Sequence, residues 1–234
     1  MKILISILCW FIPFKQLRKR LKLKYVKSKR IIYRNNNKVI VHMPDGRTII
    51  NPYSVPGLKI CFAGNNSVVE LFYPIKFKNC KFNLMSDDTI TIHSSCGIYN
   101  TIIDAYNKSS VFIDQGAGIG GMHVHMANET ETELRIGKDA VLSYDIEIYT
   151  TDTHPIFDMD GNCINNKKSC VTIGKHAWIC ASCVLLKGAR IPNDVILGHS
   201  TVCAGPLTET NCIYAGNPCK CIKRNITFHG NKID

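Results

Sequence analysis

A chain of 234 residues is long enough for one large domain, and its hydrophobic fraction of 45% is that of a globular protein and not of a disordered one. Its formal net charge of +11 favours anionic partners such as phosphates, acidic polysaccharides, nucleic acid or an anionic membrane surface, and does not choose among them. The 12 cysteines favour reduced, buried thiols in a cytosolic protein over a disulfide framework, since many stand where a small core residue is wanted. Cys180 and Cys183 form an isolated C-x-x-C pair, which is not a zinc-ribbon pattern.

The first 30 residues differ in composition from the rest of the chain. Residues 1–14 are almost entirely apolar, and residues 15–30 are strongly basic. The apolar run is too short to span a bilayer as a helix, and its charges follow it, whereas those of a signal peptide come first. We predict a short helix that is either an interfacial membrane anchor or packed on the domain or a neighbouring subunit. With an irregular lead-in it makes up residues 1–56. We expect a cytoplasmic protein, at the inner face of the cytoplasmic membrane if the segment is an anchor.

The chain from residue 57 to residue 226 is built from repeats. The segments TITIHSSCGIY, VFIDQGAGIG, LRIGKDAVLS and VTIGKHAWIC align so that an aliphatic residue is followed by a small residue four positions later and an aliphatic residue six positions later. The three columns of this alignment are Ile92, Ile113, Ile136 and Ile173; Cys96, Ala117, Ala140 and Ala177; and Ile98, Ile119, Leu142 and Ile179. The C-terminal part keeps the step of six without a break through Ile173, Ile179, Leu185, Ile191, Leu197 and Cys203.

A period of six residues fits neither an amphipathic helix nor a hairpin strand. It predicts an all-β solenoid of short strands, in which each aliphatic side chain points into the core of a three-sided coil and the small residue lies near a corner. Three steps make one coil of about eighteen residues. Gly137, Gly174 and Gly198 directly follow inward aliphatic residues, where we expect tight backbone bends.

Three longer segments make the chain similar to a known family. They are LRIGKDAVLSYDIEIYTTDTHPI, IGKHAWICASCVLLKGARIPNDVILGHSTV and YAGNPCKCIK. Through them the chain resembles the hexapeptide-repeat acyltransferases, and among these the bacterial O-acetyltransferases that decorate capsule, lipopolysaccharide or sialic-acid-containing glycans. The resemblance covers residues 57–226, leaves residues 227–234 as a C-terminal tail, and departs from the family at Cys180, where a glycine is usual. It implies a left-handed parallel β-helix, acetyl-CoA as co-substrate, a carbohydrate acceptor and a homotrimer with sites between subunits.

The step of six fails between Ile148 and Ile173, where residues 149–171 form a polar, turn-rich insertion. A loop anchored at both ends to a rigid coil is a good carrier for a reactive side chain. His154 lies near its start, and the resemblance implies that it is the general base that deprotonates a sugar hydroxyl, a role that suits a histidine. Asp152 either orients the imidazole or caps the turn through an Asx-type hydrogen bond.

The resemblance also implies a set of residues that hold the cofactor. Trp178, which is outward in the repeat, would contact the pantetheine arm or the acceptor at a subunit boundary, or else serve ordinary subunit packing. Basic side chains would meet the phosphates of CoA, namely Lys187, Lys220, Lys223 and Arg224. The remaining members are small residues along which the cofactor would lie and two residues of the A-G-N-P-x-K segment: Gly188, Ala204, Gly205, Asn217 and Pro218.

Two other classes of function stay open. The γ-type carbonic anhydrases share the left-handed helix and bind zinc through three histidines, a residue type that His123, His125 and His154 supply. The protein could also be a non-catalytic glycan-binding solenoid, in which the polar loop would have no catalytic role. Trp178 and the AGNPCK segment favour acetyl transfer, so no metal is expected. No RNA- or DNA-binding motif is present, and no nucleic-acid partner is expected. His123 and His125 share one face of a predicted strand, where they line an acceptor groove or lie on an ordinary surface.

Overall fold

A computed structural model of the chain describes residues 30–165 and 170–229, and every regular element in these ranges is a β-strand. The first twelve strands are β1 Lys38–His42, β2 Thr48–Ile50, β3 Leu58–Phe62, β4 Val68–Phe72, β5 Ile75–Lys78, β6 Cys80–Leu84, β7 Thr89–Ile92, β8 Cys96–Tyr99, β9 Ile102–Asp104, β10 Ser110–Ile113, β11 Gly118–Ile119 and β12 Met122–His125. The other eleven are β13 Glu133–Ile136, β14 Val141–Leu142, β15 Ile146–Tyr149, β16 Cys170–Ile173, β17 Trp178–Ile179, β18 Val184–Leu185, β19 Arg190–Ile191, β20 Ile196–Leu197, β21 Val202–Cys203, β22 Cys212–Ala215 and β23 Lys220–Arg224.

The strands form three sheets that run along the molecule. Sheet I has the order β19-β16-β13-β10-β7-β4-β1-β2, sheet II the order β23-β22-β20-β17-β14-β11-β8-β5, and sheet III the order β21-β18-β15-β12-β9-β6-β3. A strand typically pairs in parallel with the strand three places later in the chain, so each coil passes through sheets I, II and III in turn. Antiparallel hairpins close the two ends, β1 with β2 and β22 with β23. The result is the predicted three-sided solenoid.

The core follows the columns of the sequence alignment. In sheet I, Ile113 lies opposite Ile92 on one side and Ile136 on the other, and Ile136 lies opposite Ile173. All four side chains are at most 2% exposed. The residues of the unbroken step of six, from Ile179 to Cys203, are buried as well. Stacking of like residues makes one continuous apolar core, which is how a solenoid stabilises coils that cannot fold alone.

The glycines after the inward aliphatic residues have a different physical reason from the predicted bends. A Cβ atom on Gly137 would lie 2.7 Å from the backbone nitrogen of Lys175, and one on Gly174 would lie 2.5 Å from that of Asn193. Both atoms belong to the next coil, so these positions are glycine because adjacent coils approach closely there. The bends themselves use left-handed backbone at other residues, spaced by six: His176, Ser182, Gly188, Asp194 and Ser200.

The solenoid begins before residue 57, within the segment predicted to be an irregular lead-in. Strand β1 pairs in parallel with β4, and its Val39 and Val41 are at most 5% exposed. The predicted N-terminal helix lies outside the described residues, because the description starts at Arg30. Among the described residues, no helix is long and apolar enough to cross a membrane.

The first residues of the predicted C-terminal tail return to the solenoid. The ring of Phe228 stacks on that of His176, with centroids 4.2 Å apart and planes 6° from parallel. Phe228 also lies 5.6 Å from the Trp178 ring, between centroids. The tail therefore covers part of the outer face of sheet II, and residues 230–234 lie outside the described part of the chain.

Candidate active site

The polar loop leaves the solenoid where sheet III turns into sheet I. It follows β15, and its residues are described up to Asn165 and again from Cys170. Its first residues are fixed to the core, since Thr150 is buried and its Oγ1 lies 3.0 Å from Oγ1 of Thr132 in the preceding coil. Thr153 has a left-handed backbone with φ of 67°, and its N–H donates to Oγ1 of Thr151 over 2.8 Å. This tight turn directs the chain outward just before His154.

His154 presents an exposed imidazole on a braced backbone. Its N–H donates to the carbonyl of Asp152 over 2.7 Å, and its own carbonyl accepts from Nδ2 of Asn165 over 2.9 Å. Within the described part of the chain the imidazole takes part in no hydrogen bond, ion pair or ring contact. A histidine in this state keeps both ring nitrogens free to exchange a proton with a bound molecule.

Asp152 does not orient the imidazole in this structure. Its Oδ2 lies 3.1 Å from Nζ of Lys187 and accepts from Nδ2 of Asn165 over 3.1 Å. Of the two roles that the sequence left open, neither matches this contact fully: the carboxylate binds neither the imidazole nor its own turn. It ties the start of the loop to Lys187 and to the far side of the loop.

Lys187 is at the centre of this corner, and its side chain is only 9% exposed. Its Nζ lies 2.9 Å from Oε1 of Glu129 and 3.0 Å from the carbonyl oxygen of Asn165, in addition to its contact with Asp152. Burial alone would lower the pKa of Lys187, but its hydrogen bonds to Glu129 and Asp152 outweigh burial, so the pKa lies above its ordinary value. Lys187 was predicted to meet CoA phosphates, whereas its ammonium here is held by the loop.

Glu129 is the member of this network that sequence reasoning missed. Its Oε1 also accepts from the backbone N–H of Asp152 over 3.0 Å. It stands between β12 and β13, where residues 126–132 interrupt the repeat, and Lys187 follows β18. The connections after β12, β15 and β18 all turn from sheet III into sheet I, in successive coils, so they stack on one corner. The available signal was this second, shorter interruption of the repeat.

The outer half of the loop is a small hairpin. Phe157 and Cys163 form an antiparallel bridge, and Ile164 N–H donates to the carbonyl of Ile156 over 2.8 Å. The Asp158 carboxylate caps the turn, and hydrogen bonds from the backbone N–H and the side chain of Asn162 hold the pKa of Asp158 below its usual range. Four apolar side chains of this hairpin are more than half exposed: Ile156, Phe157, Met159 and Ile164.

Trp178 lies on the outer face of sheet II, as predicted from the repeat. It is half-buried, its Nε1 donates to Oγ of Ser143 over 3.3 Å, and Phe228 stands beside it. The corner between sheets III and I is opposite sheet II in a three-sided coil. Accordingly, no contact joins Trp178 to His154 within the described ranges.

The predicted site residues therefore separate into two groups. At the corner of His154 stand Asp152, Lys187, Gly188, Ala204 and Gly205, the last two following β21 of sheet III. On the sheet II side stand Trp178, Asn217, Pro218 and Lys220, with Asn217 and Pro218 in the turn between β22 and β23. Gly188 also has a φ of 83°, so the left-handed backbone of the corner is by itself a reason for glycine at this position.

The basic residues predicted to contact phosphate differ in exposure and in whether a carboxylate already binds them. Lys220 and Lys223 are exposed on β23. Arg224 is engaged by Glu209 through two hydrogen bonds of 2.6 and 2.8 Å, which raise the pKa of Arg224. Lys220 and Lys223 are thus better placed than Lys187 or Arg224 to meet an anionic ligand.

The three histidines of the carbonic anhydrase alternative do not form one site in this chain. His123 and His125 lie on β12, where Nε2 of His123 is 2.8 Å from Oδ2 of Asp104 and Nε2 of His125 is 2.6 Å from Oε2 of Glu147. The candidate metal group found among the described residues near them contains Asp104 and not His154.

Comparison with known proteins agrees with this architecture. The chain is 32% identical over 167 residues to the polysialic acid O-acetyltransferase of Neisseria meningitidis, covering 70% of this chain and 76% of that protein. It is 26% identical over 139 residues to the polysialic acid O-acetyltransferase of Escherichia coli O1:K1, covering 59% of this chain and 44% of that protein. No protein-family model matches the sequence.

Two solved structures extend the likeness to the fold. The polysialic acid O-acetyltransferase OatWY superposes with a TM-score of 0.70 at 27% identity, covering 86% of this chain and 93% of that one. The polysialic acid-specific acetyltransferase NeuO shares the fold, with a TM-score of 0.69 at 22% identity, covering 84% of this chain and 86% of that one.

The left-handed parallel β-helix is the architecture of the acetyltransferases to which the chain is similar. The chain belongs to the hexapeptide-repeat O-acetyltransferases, the family that includes the polysialic acid O-acetyltransferases. This membership confirms the family and fold expected from the sequence. It favours acetyl transfer over the carbonic anhydrase and the non-catalytic alternatives.

Proposed function

We propose that the protein transfers acetyl from acetyl-CoA to a hydroxyl of an acidic bacterial surface glycan, such as a sialic-acid-containing chain, with His154 as the general base. The observation that carries the proposal is the imidazole of His154, which is exposed and has no partner among the described residues, on a backbone held by Asp152 and Asn165. An acidic acceptor fits the net charge of +11 and the named substrates of the polysialic acid relatives.

In this mechanism the imidazole takes the proton of the acceptor hydroxyl while its oxygen attacks the thioester carbonyl. A carbon–oxygen bond forms, and the carbon–sulfur bond then breaks. The imidazolium returns the proton to the departing thiolate, so His154 ends the cycle neutral. Lys187 and Glu129 are positioning residues in this mechanism, because they hold the loop around Asp152.

We also propose a homotrimer in which each site joins the His154 corner of one subunit to the Trp178 face of the next. Two observations support it: these two groups lie on opposite sides of a single chain, and the loop hairpin exposes four apolar side chains. A shared site would bring the groups together and cover the hairpin. Light scattering should give a trimer, and a stable, fully active monomer would contradict the proposal.

A mixed assembly tests the sharing directly. His154→Ala and Trp178→Ala variants are each expected to be weak, but subunits of the two variants exchanged into one trimer should regain activity. The Trp178→Ala subunit keeps His154, and the His154→Ala subunit keeps Trp178. If equal amounts mix at random, about a quarter of the interfaces would join an intact His154 to an intact Trp178. No recovery in verified mixed trimers would mean that each site uses one chain.

The decisive experiment on function is acetylation of a glycan panel followed by mass spectrometry. Purified protein should transfer acetyl from acetyl-CoA to polysialic acid or to another acidic glycan. His154→Ala should lower turnover by about a hundredfold to ten-thousandfold, the usual contribution of a positioned general base, and keep the fold. His199→Ala, an exposed histidine in another coil, is the matched control and should retain wild-type turnover. Wild-type turnover by His154→Ala would refute the mechanism.

The N-terminal segment is proposed to hold the enzyme at the cytoplasmic membrane surface. Its apolar residues 1–14 and basic residues 15–30 match an interfacial anchor. The full chain should pellet with anionic vesicles at low salt and be partly released at high salt. Equal pelleting by a chain without residues 1–30 would exclude the anchor.

A further inference from the structure

The outer face of sheet III carries two histidines on one strand. His123 and His125 are two residues apart on β12, so both side chains leave the same face. Side chains that stood upright at this spacing would be about 7 Å apart. The two rings instead lean towards each other until their centroids are 3.8 Å apart.

Two carboxylates approach these rings from the neighbouring strands. In the strand register Asp104 is opposite His125, and Glu147 is opposite His123. Each carboxylate nevertheless bonds the other histidine, Asp104 to His123 over 2.8 Å and Glu147 to His125 over 2.6 Å. The two bonds are therefore diagonal, and both draw polar atoms towards the centre of the strand.

Surrounding residues hold these groups in place. Nδ2 of Asn83 donates to Oδ1 of Asp104 over 2.5 Å, which leaves Oδ2 directed at the histidines. Tyr149 stacks on His125 with ring centroids 4.4 Å apart. Side-chain exposures of 31% for His123, 27% for His125 and 38% for Asp104 leave the group open to solvent on one side. Metal sites commonly have such outer contacts, which fix the ligand orientation.

We propose that Asp104, His123 and His125 bind a divalent transition-metal ion of the zinc type. One ligand atom from each of the three residues lies within 4.8 Å of the other two. Ligand atoms about 2.1 Å from a tetrahedral ion are roughly 3.4 Å apart, so small rotations of these side chains close the site. Two imidazoles and one carboxylate are a favourable set for zinc, cobalt or nickel, and Glu147 orients His125 from outside.

On binding, the ion takes the place of a proton on the ligand nitrogens. Any proton on the ring nitrogen that ligates the ion is released to solvent, the ring nitrogen of His125 that bonds Glu147 keeps its proton, and no electron transfer is involved. Three protein ligands leave a coordination position for water. This position faces solvent on the sheet III face that leads through Tyr149 into the polar loop.

Other histidine–carboxylate pairs of the described residues lack this convergence. His42 lies 2.7 Å from Glu70, and His176 lies 2.9 Å from Asp194, each as a single pair without a second histidine beside it. The group of Glu209, Cys212 and Cys221 is less suitable, because both carboxylate oxygens of Glu209 are already bonded to Arg224. His42 therefore provides a matched control.

The test uses the full chain, freed of metal by dialysis against EDTA, and titrated with Zn²⁺ by calorimetry and with Co²⁺ by visible absorption. We expect about one ion per chain, with a cobalt spectrum typical of nitrogen and oxygen ligands. His123→Ala and His125→Ala should each raise the Kd for the ion by about tenfold to a hundredfold, and Asp104→Asn should raise it as well. His42→Ala should bind as the wild type does.

Three results would overturn the site: no binding by the wild type, equal binding by a His123→Ala/His125→Ala double variant, or a thiolate charge-transfer band that assigns the ion to cysteines. Circular dichroism identifies a variant that fails to fold, and Asp104→Asn, which keeps the side-chain shape, then decides the question. The readout is binding and not acetyl transfer, so failure here would leave the proposed function untouched.

Discussion

Replacement of Lys187 by methionine tests what holds the loop of His154. Methionine keeps most of the apolar stem and removes the ammonium. In the native chain Nζ contacts Oε1 of Glu129 at 2.9 Å, the carbonyl of Asn165 at 3.0 Å and Oδ2 of Asp152 at 3.1 Å. The change therefore leaves one carbonyl and two carboxylates of the loop corner without their shared cation.

The free energy lost with the ammonium depends on how deeply Lys187 and its two carboxylate partners are buried. Loss of one partner from a fully buried ion pair costs about 3–5 kcal/mol. The side chains of Glu129 and Asp152 are 26% and 34% exposed, so water partly replaces the lost ammonium. We expect the loop arrangement seen here to lose about 2–3 kcal/mol relative to a loosened one, which corresponds to a shift of about 30-fold to 160-fold in the equilibrium between them. The stacked core does not depend on this contact, so the melting temperature should change little.

The assay separates kcat from KM. A loosened loop misplaces the base, so kcat should fall by about tenfold to a hundredfold while KM for acetyl-CoA stays within about twofold. Hydrogen exchange should speed up in residues 150–165 and not in β15. Lys187→Arg should restore part of the activity, since it keeps the charge. Lys220→Met, at an exposed lysine, is the matched control and should alter KM for acetyl-CoA if it alters anything.

The opposite pattern would refute this reasoning. If Lys187→Met raised KM for acetyl-CoA and left kcat and loop exchange unchanged, Lys187 would bind CoA phosphates, as the sequence resemblance implied, and would not brace the loop.

Two further predictions concern stability. Gly174→Ala should destabilise the fold by about 2–3 kcal/mol, because its Cβ would lie 2.5 Å from the backbone of the next coil, whereas Gly118→Ala, with no atom within 4 Å, should change the urea midpoint little. Burial raises the pKa of the Cys96 and Cys183 thiols to about 11, so each keeps its proton longer in the folded state. The stability that these thiols contribute should be complete below about pH 9 and should be lost as the pH rises towards 11, by about 1.4 kcal/mol per pH unit for each thiol. Urea titrations at several pH values check this, because the free energy of unfolding of Cys183→Ala should fall less steeply with pH than that of the wild type.

The sequence predicted the later coils well because their corners are uniform. Strand partners there are eighteen residues apart, as in the pairing of Trp178 with Ile196, so a step of six recurs in the sequence. In the earlier coils Thr89 pairs with Ser110 and Val68 with Thr89, both 21 residues apart. The longer corners are filled by polar contacts between coils, such as Asn79 with Asn100. The hydrophobic column persists, but the constant step that makes it visible is lost.

The candidate site could be predicted only in part. The loop and His154 were visible because a long polar insertion breaks the repeat. The bond between Lys187 and Glu129 joins residues 58 positions apart, and it exists because two interruptions of unequal length leave from the same corner in successive coils. No single sequence window contains that information. It requires the coil register, which decides that connections after β12, β15 and β18 stack on one another.

The same register explains why the two groups of the proposed site lie on different sides of one chain. Each coil returns to the same three sides, so residues in equivalent connections accumulate on one corner and residues of equivalent strands accumulate on one face. His154, with its bracing lysine, belongs to the corner between sheets III and I, and Trp178 belongs to sheet II opposite. A rigid solenoid cannot fold these two sides together, because its core is continuous along its length. Cooperation between them therefore requires a second copy of the chain. Assembly, on this reasoning, is part of the proposed catalytic unit and not an addition to a complete monomer.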